Sequence, residues 1–258
     1  MSPIDLSGKK GVVFGVANQR SIAWSIADAL AGAGAELAFT YLGERLKAGV
    51  AKTISGLGDP LLLECDATDD AQVKNVYDQA AARLGKIDIV VHCIAFAARD
   101  DLGGDFSATN RDGFRTALEA SAYTLIPVTS LAVPHMPEEG GAVVALTFDA
   151  ANRVYPGYNI MGTAKAALEN EVSQLANEFG PRNVRVNAIS AGPLATLSAR
   201  SIPGFNTMRH AFESRSPLKR NVTHEEVANT ALFLLSDMSS GITGAVIPVD
   251  AGYTTIGI

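Results

Sequence analysis

The sequence is poor in cysteine and histidine. Only Cys65 and Cys93 carry a thiol among 258 residues, and neither has partners at the spacing of a metal site or a disulfide framework. We interpret both as small buried thiols of a reducing compartment, and we expect a cytoplasmic protein. The four histidines are scattered along the chain, so we expect no metal centre and interpret His92, at the end of an apolar run, as structural.

Long apolar runs and an excess of positive charge are also missing. No apolar stretch approaches the roughly 18 to 20 residues of a membrane-spanning helix, and the start, MSPIDLSGKK, lacks the apolar core of a signal peptide. The net charge is −6 and the pI is near 5.2, whereas phosphate contacts need a basic surface. We therefore expect neither a membrane nor a nucleic acid as partner.

Short apolar segments alternate along the chain with amphipathic segments of helical spacing, which is typical of a parallel sheet covered on both faces. No linker or repeat divides residues 1–258, so we predict one α/β domain, a Rossmann-like doubly wound sheet of about seven parallel strands with ligands at their carboxyl ends. The predicted strands are 10–14, 35–41, 61–66, 87–95, 141–148, 184–190 and 245–250. The predicted helices are 21–34, 44–55, 68–84, 112 to about 135, 158–179 and 223–235, the last opened by a capping box at Thr223 and Glu226.

Tyr158 and Lys165 stand seven residues apart in the segment predicted as a helix. Two helical turns place both side chains on one face, with their Cα atoms roughly 10 Å apart, so a phenol and an ammonium can share one ligand. The ammonium would lower the cost of negative charge on the phenol oxygen. Taken alone, the spacing is more typical of a half-buried core tyrosine and a solvated lysine.

A glycine turn follows the first predicted strand and opens the first helix, in GVANQRSIAW from Gly15. In that context backbone N–H groups and the helix dipole can hold a pyrophosphate, although a single glycine is also compatible with an ordinary turn. The second strand ends in Tyr41 and Leu42 and lacks the acid that the generic dinucleotide fingerprint expects there.

Several segments together resemble the enoyl-acyl-carrier-protein reductase branch of the short-chain dehydrogenase/reductase superfamily. They fit GVxNxRSIAW, HxIxFA and YxxMGxAKxxLE, followed by VRVNAISAGPLATLSA at 184–199. Gly162 occupies the lysine position of the wider superfamily's YxxxK, which disfavours an ordinary ketone or alcohol dehydrogenase. The resemblance implies reduction of a trans-2-enoyl thioester in fatty-acid biosynthesis, with Tyr158 and Lys165 as catalytic residues. The alternatives are a carbonyl reductase of the same superfamily and a non-enzymatic dinucleotide-binding regulator.

The resemblance also implies a dinucleotide, which we expect to be NADH rather than NADPH. No basic residue directly follows Tyr41, although Arg45 or Lys47 could reach a 2′-phosphate. Asp66 ends the third predicted strand. The resemblance implies that it binds the cofactor, and the alternative is that it caps the following helix. The cofactor-binding residues implied by the resemblance are Gly15, Ser21, Ile22, Leu42, Asp66, Ala67, Ile94, Lys165, Leu194, Ala195, Thr196, Leu197 and Ser198.

On the substrate side, the resemblance implies contacts of the acyl chain with Ala97, Tyr158 and a mobile lid around 196–215. The lid carries Ile202, Phe205 and Met208 at a spacing of three, a stripe that is also typical of ordinary core. Phe148 stands where the family has a second tyrosine, so its ring can line the pocket but cannot donate a proton. We interpret Tyr155 as a pocket or surface residue that does not replace it.

Basic residues cluster near the lid of this acidic protein, with Glu213 as the one acid between residues 200 and 220. The cluster is a candidate docking surface for an acidic acyl carrier protein, and a solvated charged face is the alternative. The resemblance further implies a homo-oligomer, a tetramer. The basic residues are Arg200, Arg209, Arg215, Lys219 and Arg220.

Overall fold

The computed structural model describes residues 4–197, 199 and 202–257. Its seven strands form one parallel sheet in the order β3-β2-β1-β4-β5-β6-β7, which confirms the predicted fold class. The strands are β1 Lys10–Phe14, β2 Glu36–Tyr41, β3 Leu61–Glu64, β4 Ile89–His92, β5 Gly141–Thr147, β6 Val184–Ala191 and β7 Val246–Val249.

Helices cover both faces of this sheet, because successive strand residues point to opposite sides. Val13 belongs to the core formed with α1, α2 and α8, whereas Val12 and Phe14 belong to the core formed with α3, α5 and α6. In the described residues no helix is long and apolar enough to cross a membrane. The helices are α1 Ile22–Gly32, α2 Glu44–Ile54, α3 Asp70–Leu84, α4 Arg111–Leu118, α5 Leu125–Ser130, α6 Ile160–Phe179, α7 Phe205–Arg215 and α8 His224–Leu235.

The prediction of one continuous helix from residue 112 to about 135 is wrong. A π-helical turn, Glu119–Tyr123, separates α4 from α5, and the Thr124 N–H bonds to the Glu119 carbonyl five residues back at 3.2 Å. Pro127 lies in the first turn of α5, where its missing N–H could not have continued a regular helix from α4. The segment therefore bends and ends at Ser130.

The start of α6 also differs from the prediction, with direct consequences for the site. The helix begins at Ile160, so Tyr158 lies in the turn before it, and Asn159 adopts a left-handed φ of 39°. Pro156 and Gly157, with φ of 86° at the glycine, keep the chain out of the helix at this point. The prediction that Tyr158 and Lys165 share a helical face is therefore wrong, since only Lys165 is helical.

The caps of α3 and α8 show how local sequence fixes helix starts. Asp69 caps α3 and accepts hydrogen bonds from the Ala71 and Gln72 N–H groups, so α3 begins at Asp70, two residues later than predicted. The predicted capping box of α8 is confirmed: Thr223 Oγ1 accepts from the Glu226 N–H at 3.2 Å, and the Glu226 carboxylate accepts from the Thr223 N–H at 2.9 Å.

Candidate active site

The glycine turn lies at the point where the strand order changes direction. β1 pairs with β2 on one side and with β4 on the other, and Gly15 follows β1 while Cys93 follows β4. A Cβ at Gly15 would lie 2.2 Å from the Cys93 carbonyl oxygen, and the φ of Gly15 is 101°. Only glycine fits this close approach of two loops, and such a crevice is where open α/β sheets bind nucleotides.

Ser21 organises the same turn. Its Oγ accepts hydrogen bonds from the N–H groups of Ala17 at 3.0 Å and Asn18 at 3.1 Å, so its own proton is available for a ligand. Because α1 begins at Ile22, the first N–H groups of α1 have no partner within the helix. The exposed glycine, the serine hydroxyl and the helix start fit the pyrophosphate of a dinucleotide.

The other cofactor residues predicted from the sequence lie at the carboxyl ends of four further strands. Leu42 follows β2 and is exposed, Asp66 and Ala67 follow β3, and Ile94 follows β4. Asp66 accepts hydrogen bonds from the N–H and hydroxyl of Thr68 and is not the cap of α3. The remaining predicted residues follow β6. Leu194 is buried, Ala195 and Thr196 are half-buried, and Leu197 is exposed, whereas Ser198 lies outside the described residues.

Lys165 is buried in α6, and its Nζ donates a hydrogen bond of 2.7 Å to the Leu146 carbonyl of β5. Burial lowers the pKa of this ammonium to about 8, against the opposing influence of Cys93 and Glu169. Burial raises the pKa of the Cys93 thiol to about 12, so the thiol is neutral near pH 7. Lys165 is therefore a cation at neutral pH, held in a largely desolvated position.

Tyr158 packs against the same end of β5 and against α6. Its ring lies 5.2 Å from the ring of Phe148 in an edge-on arrangement, and it also contacts an apolar cluster that includes Ala97, Ala117 and Met161. Burial raises the pKa of the Tyr158 phenol above its ordinary value. At neutral pH Tyr158 is a protonated donor beside apolar surface.

His92 and Ser121 support the loop after β4. The buried His92 ring has its Nε2 2.9 Å from Thr124 Oγ1, in keeping with a structural role, and burial lowers its pKa to about 3. Ser121 Oγ accepts from the Phe96 N–H at 2.9 Å and donates to the Phe96 carbonyl at 3.0 Å, which fixes the loop that carries Ala97. Among the described residues no group of histidine, cysteine and acidic side chains could hold a metal ion.

The comparison with known families decides what this arrangement belongs to. A family model described as Enoyl-(Acyl carrier protein) reductase matches residues 15–254. The chain belongs to the enoyl-acyl-carrier-protein reductase family. The fold, the enzyme class and a nicotinamide dinucleotide as cofactor, all expected from the sequence, are thereby confirmed.

Individual relatives match over their whole length. The chain is 46% identical over 258 residues to the enoyl-[acyl-carrier-protein] reductase [NADH] FabI of Nostoc sp., covering 99% of this chain and 100% of that protein. It is 49% identical over 255 residues to the protein of the same description from Bacillus cereus, covering 98% and 99%. A crystal structure of the Bacillus cereus enoyl-acyl carrier protein reductase with NADP+ and indole naphthyridinone matches with a TM-score of 0.96 at 48% identity, covering 99% of this chain and 100% of that chain.

Phe148, the departure from the family pattern, lies in an aromatic cluster. Its ring centroid is 4.7 Å from that of Tyr155, 5.2 Å from that of Tyr158 and 6.3 Å from that of Phe212. Phe212 in turn stacks on Tyr253, with 3.7 Å between centroids and 11° between ring planes. Sequence reasoning missed Phe212 and Tyr253, although Phe212 follows Met208 at helical spacing of four and that spacing could have identified it.

Tyr155 does not offer a free hydroxyl in place of the missing one. Its OH donates a 2.7 Å hydrogen bond to Asp149 Oδ2, and burial raises its pKa. Asp149 is itself buried and lies 3.7 Å from Arg153 Nε, while Arg153 donates to the Thr254 carbonyl at 2.6 Å. The network ties the loop after β5 to the C-terminal turn, consistent with a pocket role for Tyr155.

The predicted lid contacts the turn that holds Tyr158. Gly157 and Gly103 both lie against Pro203, since a Cβ on Gly157 would be 2.8 Å from the Pro203 carbonyl oxygen and one on Gly103 would be 3.1 Å from the Pro203 ring. Met208 packs against the aromatic cluster of Phe148 and Phe212. Ile202 precedes α7 and Phe205 begins it, so the predicted stripe is not the face of one continuous helix.

The basic cluster near the lid is partly engaged by neighbouring groups. Arg220 forms a bidentate pair with Glu226, at 2.5 and 2.9 Å, and Lys219 donates to the Ser214 carbonyl at 3.0 Å. Arg215 lies exposed in the last turn of α7, and Arg209 is half-buried. Arg200 lies outside the described residues.

Proposed function

We propose that this enoyl-acyl-carrier-protein reductase reduces the carbon–carbon double bond of a trans-2-enoyl thioester, with Tyr158 and Lys165 as its catalytic residues. Bound NADH supplies the hydride for the β-carbon of the substrate. The assignment rests on the observation that both side chains contact residues at the end of β5. Lys165 donates a hydrogen bond to the Leu146 carbonyl, and Tyr158 contacts Phe148, two residues further along the chain. A phenol and an ammonium thus converge on one edge of the sheet.

Tyr158 donates a hydrogen bond to the thioester oxygen, on which negative charge collects as an enolate during hydride addition. Its raised pKa supports this role, because the phenol keeps its proton at neutral pH. Its apolar neighbours, Ala97 and Phe148, line the acyl chain beside the thioester. Removing one such donor costs about 3 to 4 kcal/mol of barrier.

Lys165 holds the nicotinamide ribose hydroxyls and biases the local field. A buried ammonium retains donors beyond the one given to Leu146, since it carries three. The phosphates lie at Gly15, Ser21 and Ile22, and the remaining cofactor residues after β2, β3, β4 and β6 contact the adenine, the riboses and the amide. Ser198 is part of this proposal by resemblance alone.

We favour NADH over NADPH. Leu42 follows β2 where a 2′-phosphate would need a cation, and Lys47 is already engaged, with its Nζ 2.8 Å from the Glu44 carboxylate and 5.6 Å from the centre of the Tyr41 ring. Arg45 remains the nearest alternative partner for such a phosphate. The Bacillus cereus relative is described as NADH-dependent, although NADP+ is bound in the crystal structure from that organism.

Three further assignments extend the proposal. Residues around 196–215 form a lid of a single domain spanning residues 1–258, with Ile202, Phe205 and Met208 facing the acyl chain. The exposed basic residues near α7 dock an acyl carrier protein, and the protein assembles as a homotetramer. The two free cysteines fit the reducing cytoplasm.

The test follows NADH absorbance with a short trans-2-enoyl thioester and with the matching β-ketoacyl thioester. We expect oxidation of NADH with the enoyl substrate only. Tyr158→Phe should lower the catalytic rate by about 10²–10³-fold with NADH affinity nearly intact, whereas Lys165→Ala should weaken NADH binding. The reverse pattern would refute the two roles, and turnover of the ketoacyl substrate alone would refute the reaction.

A further inference from the structure

Glu169 lies one helical turn after Lys165 on α6, and its carboxylate joins the segments that carry the catalytic residues. Its Oε1 accepts a 2.8 Å hydrogen bond from Thr147 Oγ1 at the end of β5, and its Oε2 accepts one of 3.2 Å from Asn152 Nδ2 in the loop that leads to Tyr158. Both carboxylate oxygens are therefore used, each by a different segment.

The end of β5 is consequently held twice by α6. Lys165 bonds to the Leu146 carbonyl at 2.7 Å, and Glu169 bonds to the adjacent Thr147 side chain. A residue that only stabilised the helix would not need partners in both the strand and the loop. The geometry thus connects Glu169 to the position of Lys165.

Glu169 is also the negative charge that favours the cationic form of Lys165. The other group that could raise the pKa of this ammonium is Cys93, but burial raises the pKa of that thiol to about 12, so it carries no charge near pH 7. Burial raises the pKa of Glu169 itself, while the hydrogen bonds from Thr147 and Asn152 oppose the shift. The carboxylate therefore offsets part of the desolvation of Lys165.

We propose that Glu169 is a positioning residue that keeps Lys165 protonated and in place for the dinucleotide. This inference rests on the proposed role of Lys165 in binding the nicotinamide ribose. Removing the carboxylate charge disfavours the ammonium, so the pKa of Lys165 falls and its donors to the ribose are lost at a lower pH.

His92, Cys93 and Tyr158, which lie around Lys165, do not titrate between pH 6.5 and 9.5. His92 on β4 has a pKa of about 3, Cys93 after β4 one of about 12, and burial raises that of Tyr158 above its ordinary value. Asp149, paired with Arg153 in the turn after β5, faces Glu169 and is coupled to it. A break in NADH affinity near pH 8 that persists when Glu171 is replaced therefore reports Lys165.

Glu171 supplies a matched control on the same helix. Burial raises its pKa to about 7, so it titrates within the experimental range, yet it lies two residues from Glu169 and thus on a different side of α6. Glu171→Gln removes a carboxylate that is charged above about pH 7 and leaves the hydrogen bonds of Thr147 and Asn152 to Glu169 in place.

The experiment measures the dissociation constant of NADH by its fluorescence, without substrate, from pH 6.5 to 9.5. In the unmodified protein we expect affinity to fall above a break near pH 8, the pKa of Lys165. Glu169→Gln, which keeps the size of the side chain, should move the break down by about one unit, and so weaken binding about tenfold above it. Glu171→Gln should leave the break in place.

An unchanged break in Glu169→Gln, or an equal loss of affinity at every pH, would overturn the inference in favour of a purely structural glutamate. Should that variant not fold, Glu169→Asp takes its place. The shorter side chain keeps the negative charge but loses the hydrogen bond to Thr147 or to Asn152, so NADH should bind more weakly while the break in its affinity stays near pH 8. A break that moves down in Glu169→Asp also contradicts the inference. Lys165→Ala separates the two proposals, since unaltered NADH affinity in that variant would reject the role of Lys165 itself.

Discussion

Replacing Phe212 by alanine removes one of the two buried side chains that hold α7 against the rest of the protein. Phe205 and Phe212 are the buried residues of this helix, and Phe212 is 2% exposed. Its ring stacks on Tyr253 at 3.7 Å and lies 6.3 Å from the Phe148 ring. The substitution therefore tests whether α7 is a lid that opens separately from the core.

The expected magnitude follows from the lost contacts. Truncating a buried phenylalanine costs about 3 to 5 kcal/mol, including the cavity left behind. If the cost falls on local opening of α7, the opened population rises by about 10²- to 4 × 10³-fold, since about 1.4 kcal/mol corresponds to a factor of ten. Hydrogen exchange over residues 205–215 should accelerate accordingly, and KM for the enoyl thioester should rise while NADH affinity is retained.

Phe39→Ala is the matched control, because Phe39 is fully buried in β2, an interior strand of the sheet. Its whole cost should fall on global unfolding and lower Tm by about 6 to 20 °C, at about 2 to 4 °C per kcal/mol for a domain of this size. Phe212→Ala should lower Tm by much less. If both variants lower Tm by the same amount and hydrogen exchange in residues 205–215 is not selectively faster in Phe212→Ala, α7 belongs to the cooperative core and the lid assignment is refuted.

Three further variants test the rest of the site. Gly15→Ala should weaken NADH binding by at least about tenfold in a fluorescence titration, because the added Cβ meets the Cys93 carbonyl at 2.2 Å and the positive φ disfavours alanine; unaltered affinity would contradict this. Phe148→Tyr should cost about 1 to 3 kcal/mol in thermal melting if the new hydroxyl stays unpaired, with turnover little changed, whereas a large gain in turnover would show that the missing phenol limits the reaction. Combined Arg215→Glu and Lys219→Glu should raise KM for carrier-bound substrate but not for a coenzyme A thioester, and equal effects on both substrates would count against docking.

The sheet and the cofactor edge could be predicted because their signals are local. Most of the strands are short apolar runs, and several predicted cofactor residues come within two or three residues of the end of such a run, as Gly15 follows β1 and Ile94 follows β4. In a parallel sheet the carboxyl ends of strands share an edge, so sequence order alone brings these residues together. The capping box at Thr223 is equally local, and it was predicted correctly.

The position of Tyr158 could not be predicted from spacing, because tertiary contacts decide it. A separation of seven residues fits a helix, but Gly157 and Asn159 have positive φ angles and α6 starts only at Ile160. The close packing of Pro203 on Gly157 involves residues 46 positions apart. Tyr253 was missed for the same reason. A turn, α8 and β7 separate it along the chain from its partner Phe212 on α7.

The two residues proposed to be catalytic consequently depend on different parts of the structure. Lys165 is fixed by a regular helix and by its bond to β5, neither of which involves the proposed lid. Tyr158 stands on a turn whose surroundings include Pro203 and the aromatic cluster reached by Met208 and Phe212. Motion of the lid can therefore alter the alignment of the phenol with the thioester while the ammonium and the dinucleotide stay in place. Under the proposed roles, the donor to the substrate is aligned by the segment that covers the substrate, so closure over the acyl chain would also complete the catalytic site.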